Sequence, residues 1–223
     1  MRFLVVSDLH LDKDASRAIA QASKEIPYTF VGGDIGLRRN ERPENIVNYM
    51  WNTFHSTKTY LTPGNHDFWP VNIVKLYGGP PDVRVVVDQR VQIWEPEAKK
   101  LHTTWFSPWS TQFADWNWMR GPQEDDYDIP SDIRMVVTHG PVHGICDECP
   151  NGDHAGSYGL MGAIRDTNAK VIFSGHIHGN DYAHVDAFDR TWYNTSVLDE
   201  RYRFKGKLPV FDTDTQVMEY WDA

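Results

Sequence analysis

The chain has 223 residues, enough for one large α/β domain with a core of its own, and 40% hydrophobic with 24% charged residues is an ordinary globular balance. A formal net charge of −9 opposes nonspecific binding to duplex nucleic acid or to an anionic membrane, yet permits a small phosphorylated substrate drawn in by a local metal cluster. No run reaches transmembrane length, and two cysteines with no secretion signal point to a reducing cytoplasm.

Arg2–Val6 is continuous, short and β-branched, and predicts a buried strand. A helix is expected over Ala15–Glu25, stopped before Pro27, then a strand over Tyr28–Val31 opening into Gly32-Gly33-Asp34. Pro43–His55 predicts a second helix, with Pro43 suited to its first turn. Thr57–Leu61 predicts the strand that feeds Gly64-Asn65-His66-Asp67 through the turn Thr62-Pro63-Gly64. Strand and helix in alternation argue for parallel βαβ units. Val83–Val87, Val91–Trp94 and Leu101–Phe106 then read as hairpin-connected strands, with Asp88-Gln89 as one turn. Arg134–Thr138 is again a continuous apolar strand, running into His139. Gly159–Asn168 predicts a helix and Lys170–Ser174 a strand that enters Gly175-His176-Ile177-His178. Short strands near Thr191–Asn194, Leu208–Phe211 and Gln216–Trp221 close the chain. No repeat, low-complexity tract or linker divides residues 1–223, so one domain is expected. The order fits a four-layer α/β/β/α sandwich with two mixed β-sheets.

Five runs rich in Asp, Asn and His fall at expected strand ends, where open α/β sheets gather ligands. In an extended segment Asp8 and His10 would share a face, and His176 and His178 likewise. Asp34 follows a glycine pair that permits a tight turn and a close approach. Asn65 offers a neutral oxygen, His139 an imidazole, His66 a proton carrier and Asp67 a carboxylate to orient it. Mixed carboxylate and imidazole donors suit Mn, Fe or Zn rather than Ca. A lone polar residue after a strand is usually a turn. Random turns would not draw Asp, Asn and His repeatedly at successive strand ends.

Asp8-x-His10, Gly33-Asp34, Gly64-Asn65-His66-Asp67, His139 and Gly175-His176-Ile177-His178 resemble, in order, the motif set of the calcineurin-like metallophosphoesterases. Ser107-Pro108-Trp109, Phe113, Trp116, Arg120-Gly121, Ile129-Pro130, Asp132-Ile133, Thr138-His139-Gly140-Pro141 and Asn194-Thr195-Ser196 look like the MPPED-like branch of that superfamily. The resemblance implies that Asp8, His10 and His178 hold a first divalent ion and Asn65, His139 and His176 a second, with Asp34 bridging. It implies hydrolysis of a small phosphoester, a diester such as a cyclic nucleotide, by water activated between two ions, Mn foremost. His66 would serve the leaving oxygen as general acid, with Asp67 holding its imidazole.

Alternative readings on the same residues are a phosphomonoesterase or protein phosphatase, and a non-catalytic binding scaffold. The first is weakened because Gly33-Asp34-Ile35-Gly36 lacks the Asp-Arg-Gly of those phosphatases, the second because no motif residue is missing. Arg38, Arg39 and His143 are candidate substrate contacts. The aromatic stretch from Trp105 to Trp118 would stack on a nucleobase or, for most of its members, fill the core. His143, Cys146, Cys149 and His154 have a spacing that a small structural zinc site would use, against the plainer reading of a polar loop.

Overall fold

A computed structural model describes residues 1–96, 98–179 and 182–222 of the chain. Strand β1 (Arg2–Val6), helix α1 (Lys13–Glu25), β2 (Tyr28–Gly32), α2 (Pro43–Thr53), β3 (Lys58–Thr62), the short α3 (Ile73–Leu76) and β4 (Val83–Val85) form the first half. There β1, β2, β3 and β4 pair in parallel, in that order. The terminal strands β13 (Lys207–Asp212) and β14 (Val217–Asp222) complete this sheet antiparallel at β1, giving the order β14-β13-β1-β2-β3-β4.

The second sheet has the order β11-β12-β10-β9-β6-β5. Its parallel centre is β6 (Lys100–Ser107), β9 (Met135–Thr138), β10 (Val171–Ser174) and β12 (Arg190–Asn194). The antiparallel strands β5 (Gln89–Glu95) and β11 (His184–Ala187) form its edges. Helix α4 (Tyr158–Arg165) packs on the outer face, and β7 (Ser110–Thr111) pairs with β8 (Met119–Arg120) as a small ribbon.

Alternation along the strands separates three apolar layers. Leu4, Val6, Val31 and Leu61 face outward onto Ala15, Ile19, Ile46 and Met50 of α1 and α2. Their neighbours Phe3, Val5 and Phe30 face inward and meet Phe106, Val137 and Phe173 of the second sheet. Val136, Ile172 and Trp192 face the far side, against Leu160 and Ile164 of α4. Period-two alternation with both faces apolar is what a sheet covered on both sides requires. The expected four-layer α/β/β/α sandwich with two mixed sheets is the observed architecture. The sheets are joined at their carboxyl ends, where Ser7 bridges to Ser196 and its N–H donates to the Thr195 carbonyl at 3.0 Å.

Two expectations change. Helix α1 begins at Lys13 because Asp12 caps it, accepting the N–H groups of Asp14 and Ala15 at 3.0 and 2.7 Å. More consequentially, β4 is no partner of β5. It pairs in parallel with β3, and the Val86 N–H extends that ladder to the Leu61 carbonyl at 2.8 Å. The Asp88-Gln89 turn therefore carries the chain from one sheet to the other. Asp88, in the left-handed region at φ 44°, accepts from Ser107 Oγ and Trp109 Nε1, both at 2.7 Å. Strand β11 escapes sequence reasoning because three of its four residues are exposed and show no apolar alternation.

Phe30 stacks on Phe3 at 4.6 Å and meets Phe106 of the other sheet edge-on at 5.1 Å. Phe30→Ala is expected to lower stability by about 3–5 kcal/mol. Val217→Thr, at a half-exposed edge position, should stay within about 0.5 kcal/mol. Denaturant midpoints of the two variants measure the difference.

Candidate metal centre

The carboxyl ends of β1, β2 and β3 from one sheet and of β9 and β10 from the other open onto the same point. The backbone there is tightly turned. Asp8, His10, Asp34 and His176 have φ of 58°, 43°, 55° and 69°, a left-handed region that costs a non-glycine residue strain. Asp8 and His10 were expected to point together because they alternate in an extended segment. They do reach one centre, but through a turn held by Asp8 N–H to the Gly33 carbonyl at 3.0 Å and His10 N–H to the Asp34 carbonyl at 3.0 Å. Gly64 is required by close approach: a Cβ there would lie 2.3 Å from Asp34 Oδ1 and 2.6 Å from His139 Nδ1.

The imidazoles are locked by their inner nitrogens. Nδ1–H of His10 donates to the Gly36 carbonyl at 2.9 Å, that of His139 to Gly32 at 2.9 Å, and that of His178 to Asp199 at 3.1 Å. A carbonyl only accepts, so each Nδ1 carries a proton, and each ring, when neutral, presents a lone pair at Nε2. Those lone pairs face other acceptors. His10 Nε2 lies 3.3 Å from His178 Nε2, which is itself 3.5 Å from Asp8 Oδ1. His139 Nε2 lies 2.7 Å from Asn65 Oδ1 and 3.5 Å from Asp34 Oδ2, and Asp34 Oδ2 is also 3.7 Å from His10 Nε2. Acceptors converging at these distances repel unless a proton or a cation lies between them, and a cation turns the repulsion into coordination. The candidate ligand atoms of Asp8, His10 and His178 lie within 4.8 Å of one another, as do those of Asp8, Asp34 and His139. The two groups share Asp8, and a third, of His10, Asp34 and His66, adjoins them, so this donor set fits a pair of divalent cations. His176 is placed by its ring, 5.0 Å from that of His139, while its N–H donates to both oxygens of Asp8 at 3.1 and 3.0 Å.

Without a cation, protons relieve part of that repulsion. Burial, with the charges of Asp67 and Asp8, pushes the Asp34 carboxyl well above the usual carboxylate range, so it holds its proton more tightly than a free carboxyl does. Burial would raise Asp8 too, but the hydrogen bond and charge of His178, followed by His139 and His10, hold it below its ordinary value. Burial would lower His178, but its hydrogen bond to Asp8 raises it, so a proton is shared between these two. Burial lowers His10 to about 3 and His176 to about 3, and also lowers His139, keeping these rings neutral. A metal bound here would displace the protons of Asp34 and His178, leaving carboxylates and neutral imidazoles as its ligands.

His66 stands next to this cluster. Its backbone N–H donates to Asp34 Oδ1 at 2.7 Å, and its ring meets His10 at 4.7 Å and Trp116 at 4.3 Å. The expected Asp67–His66 contact is replaced. Nδ1–H of His66 donates to the Leu37 carbonyl at 3.0 Å. The Asp67 carboxylate instead accepts from the N–H groups of Gly36, Gly64 and Ile35 and from Trp69 Nε1, at 2.7, 2.9, 3.4 and 3.0 Å. It clamps the two loops that carry Asp34 and Asn65, and its short side chain is turned away from the ring. Burial outweighs those donors and brings Asp67 to about 6.

The remaining candidates lie further out. Arg39 pairs with Asp115 at 3.2 Å, with its guanidinium over Phe68 and Trp116, while Arg38 is exposed. His143 stacks on Tyr158 at 3.9 Å and shares a hydrogen bond with its hydroxyl at 2.7 Å. The loop suggested for zinc is organised by the buried Asp147, which accepts from His154 Nδ1 at 2.7 Å and from the N–H groups of Gly144 and Gly156. Among the described residues, Cys146 and Cys149 belong to no cluster of three candidate ligands. Sequence reasoning missed Tyr202, whose ring lies 4.8 Å from His10 and 5.0 Å from His178. It stands in a polar tail with no motif around it.

A cleft of about 710 Å³ opens beside His176 and His178, with Phe113, Tyr202, residues 149–151 and residues 153–155 among its walls.

Residues 1–180 match the family model described as calcineurin-like phosphoesterase. No curated relative matches the chain by sequence. Among solved structures it is similar to TT1561 of Thermus thermophilus, with TM-score 0.67, 11% identity, and 99% of this chain and 98% of that one covered. It is similar to the phosphopantetheinyl hydrolase PptH of Mycobacterium tuberculosis, with TM-score 0.58, 14% identity and 90% of each chain covered. An archaeal phosphodiesterase aligns over 100% of both chains with TM-score 0.52 and 14% identity. At those identities the structural likeness speaks for the fold. The family rests on the match over residues 1–180, and by it this chain belongs to the calcineurin-like phosphoesterases.

Proposed function

We propose that the chain is a dimetal phosphodiesterase for small substrates, cyclic nucleotides included, with Mn as the preferred ion. The observation that carries the reading is the convergence of candidate ligand atoms in two groups that share Asp8, with Asp34 Oδ2 3.7 Å from His10 Nε2 of one and 3.5 Å from His139 Nε2 of the other. Asp8, His10 and His178 would hold the first ion, Asn65, His139 and His176 the second, and Asp34 would bridge. Ions bound there supply Lewis acidity, polarising the phosphoryl group and making water a stronger acid.

The chain's own groups would do the rest. With Nδ1–H committed to Leu37, Nε2 of His66 is the atom that would take up a proton from water and pass it to the leaving oxygen. Burial lowers the ring's hold on that proton, which makes it a readier donor once loaded. The Trp116 ring against one face of His66 and the His10 ring against it hold that imidazole in place. Asp67 supports the site by tying together the loops that carry Asp34 and Asn65. A diester is favoured over a monoester by charge. Asp153 and Glu200 stand on the cleft wall, where they oppose the second negative charge of a monoester.

His66→Ala should lower kcat by about 10²–10⁴-fold with metal content unchanged, and full activity in that variant would refute the assigned role. Asp67→Ala should act differently, through stability. It leaves buried donors of Gly36, Gly64 and Trp69 unanswered and should cost about 3 kcal/mol or more, read from thermal or denaturant unfolding of the Mn-loaded protein. Elemental analysis after Mn loading should find about two ions per chain, fewer in Asp34→Ala, and the wild-type number in Cys146→Ser/Cys149→Ser. With Mn present, an aryl phosphodiester should be cleaved faster than the matching monoester. The reverse order would sink the diesterase preference.

A further inference from the structure

Two large aromatic side chains stand exposed on the cleft beside the candidate ligands. Phe113 is 63% exposed, with its ring 5.7 Å from that of His176. Tyr202 is 45% exposed and covers His10 and His178. Both line the cleft that ends at His176 and His178, and the amide side chains of Gln112 and Asn151 line it as well. Exposed apolar rings are ordinary when scattered singly. Here two are gathered at the mouth of one cleft, each in ring contact with a candidate ligand.

Tyr202 is held in this position by construction. Its φ of 58° is in the left-handed region, unfavourable for an aromatic residue. Asp199 imposes it: its carbonyl accepts the Tyr202 N–H at 2.9 Å, and its Oδ1 accepts the N–H groups of Arg201 and Arg203, both at 2.9 Å. Its Oδ2 takes the Arg203 guanidinium at 2.9 Å through Nε. The same Asp199 carbonyl receives Nδ1–H of His178 at 3.1 Å. One turn therefore orients a candidate ligand and presents the aromatic wall beside it. The Tyr202 hydroxyl makes no hydrogen bond within the described residues, so the backbone, and no tether on the ring's far end, places it. A strained residue held by several hydrogen bonds marks a site where the side chain is wanted.

We propose that Phe113 and Tyr202 form a subsite for a flat aromatic or heteroaromatic ring carried by the phosphoester, and that they set substrate specificity. This rests on the dimetal phosphoesterase reading above. The phosphoryl group would sit at the ions and its ring-bearing substituent would lie along the cleft, against aromatic faces, with Gln112 and Asn151 able to meet polar ring edges. An alkyl substituent would gain far less there, since stacking needs a π-face.

The test needs no turnover. Calorimetric titration of the Mn-loaded protein compares phenylphosphonate with methylphosphonate, which share a head group and differ in the ring. Phenylphosphonate should bind about tenfold more tightly or better. The preference should fall toward one in Phe113→Ala and in Tyr202→Ala, and persist in Tyr202→Phe, which keeps the ring and drops only the hydroxyl. Equal binding of the two phosphonates by the wild type overturns the proposal, as does a preference unchanged in both alanine variants or a failure of both phosphonates to bind. The two readings also fail separately. A ring preference without any diester turnover would sink the hydrolase reading and leave the subsite standing. Turnover without the preference would sink the subsite alone.

Discussion

The site depends on bringing carboxyl groups and imidazole nitrogens together in a buried place. With neither a proton nor a cation between them, the carboxylates of Asp8 and Asp34 and the Nε2 lone pairs of His10, His139 and His178 would repel at these distances. Three things in the fold hold them there. Backbone carbonyls take the Nδ1–H of all three rings, so these cannot relieve the repulsion by changing tautomer. Left-handed turns at Asp8, His10, Asp34 and His176 aim the chain at one point. Close packing at Gly64 leaves no room for Asp34 or His139 to retreat. The cost is borne by the rest of the molecule, and cations at this point would offset much of it.

That cost explains the architecture around it. Strands β1, β2 and β3 are parallel, so their carboxyl ends deliver Asp8, Asp34 and Asn65 on one side. Strands β9 and β10 deliver His139 and His176 from the second sheet. The inter-sheet layer of Phe3, Phe30, Phe106 and Phe173 fixes the separation of the two sheets. The Ser7–Ser196 bridge and the Ser7 Oγ hydrogen bond to Asp8 at 2.7 Å fix their meeting edge. A shift between the sheets would open each candidate ion site, because each draws residues from both. Asp67 plays a related part inside the first sheet, spanning the loops after β2 and β3 with one buried carboxylate.

Much of this was legible in the residues. Continuous apolar runs located β1, β2, β3, β9 and β10, and polar runs at their ends located the candidate ligands and His66. The wrong readings share a cause. A turn such as Asp88-Gln89 looks the same whether the next strand pairs with the previous one or joins another sheet, and only the Val86–Leu61 hydrogen bond decides it. Asp67 follows His66 directly, so adjacency suggested contact, yet its carboxylate finds backbone donors in the loop that holds Gly36. Asp8 and His10 reach one centre by a left-handed turn that no alternation pattern encodes.

By itself the sequence determined the order of most strands and helices, the chemistry of the donor set and its place at strand ends. These follow from local patterns: apolar period, turn residues and the identities of side chains. Tertiary structure alone decided which carbonyl each imidazole would bind, that Leu37 and not Asp67 would orient His66, and that Tyr202, well beyond the last motif, would stand over His10 and His178. Those are contacts between segments distant along the chain, set by how two sheets pack and where their loops meet, and no local pattern of residues carries that information.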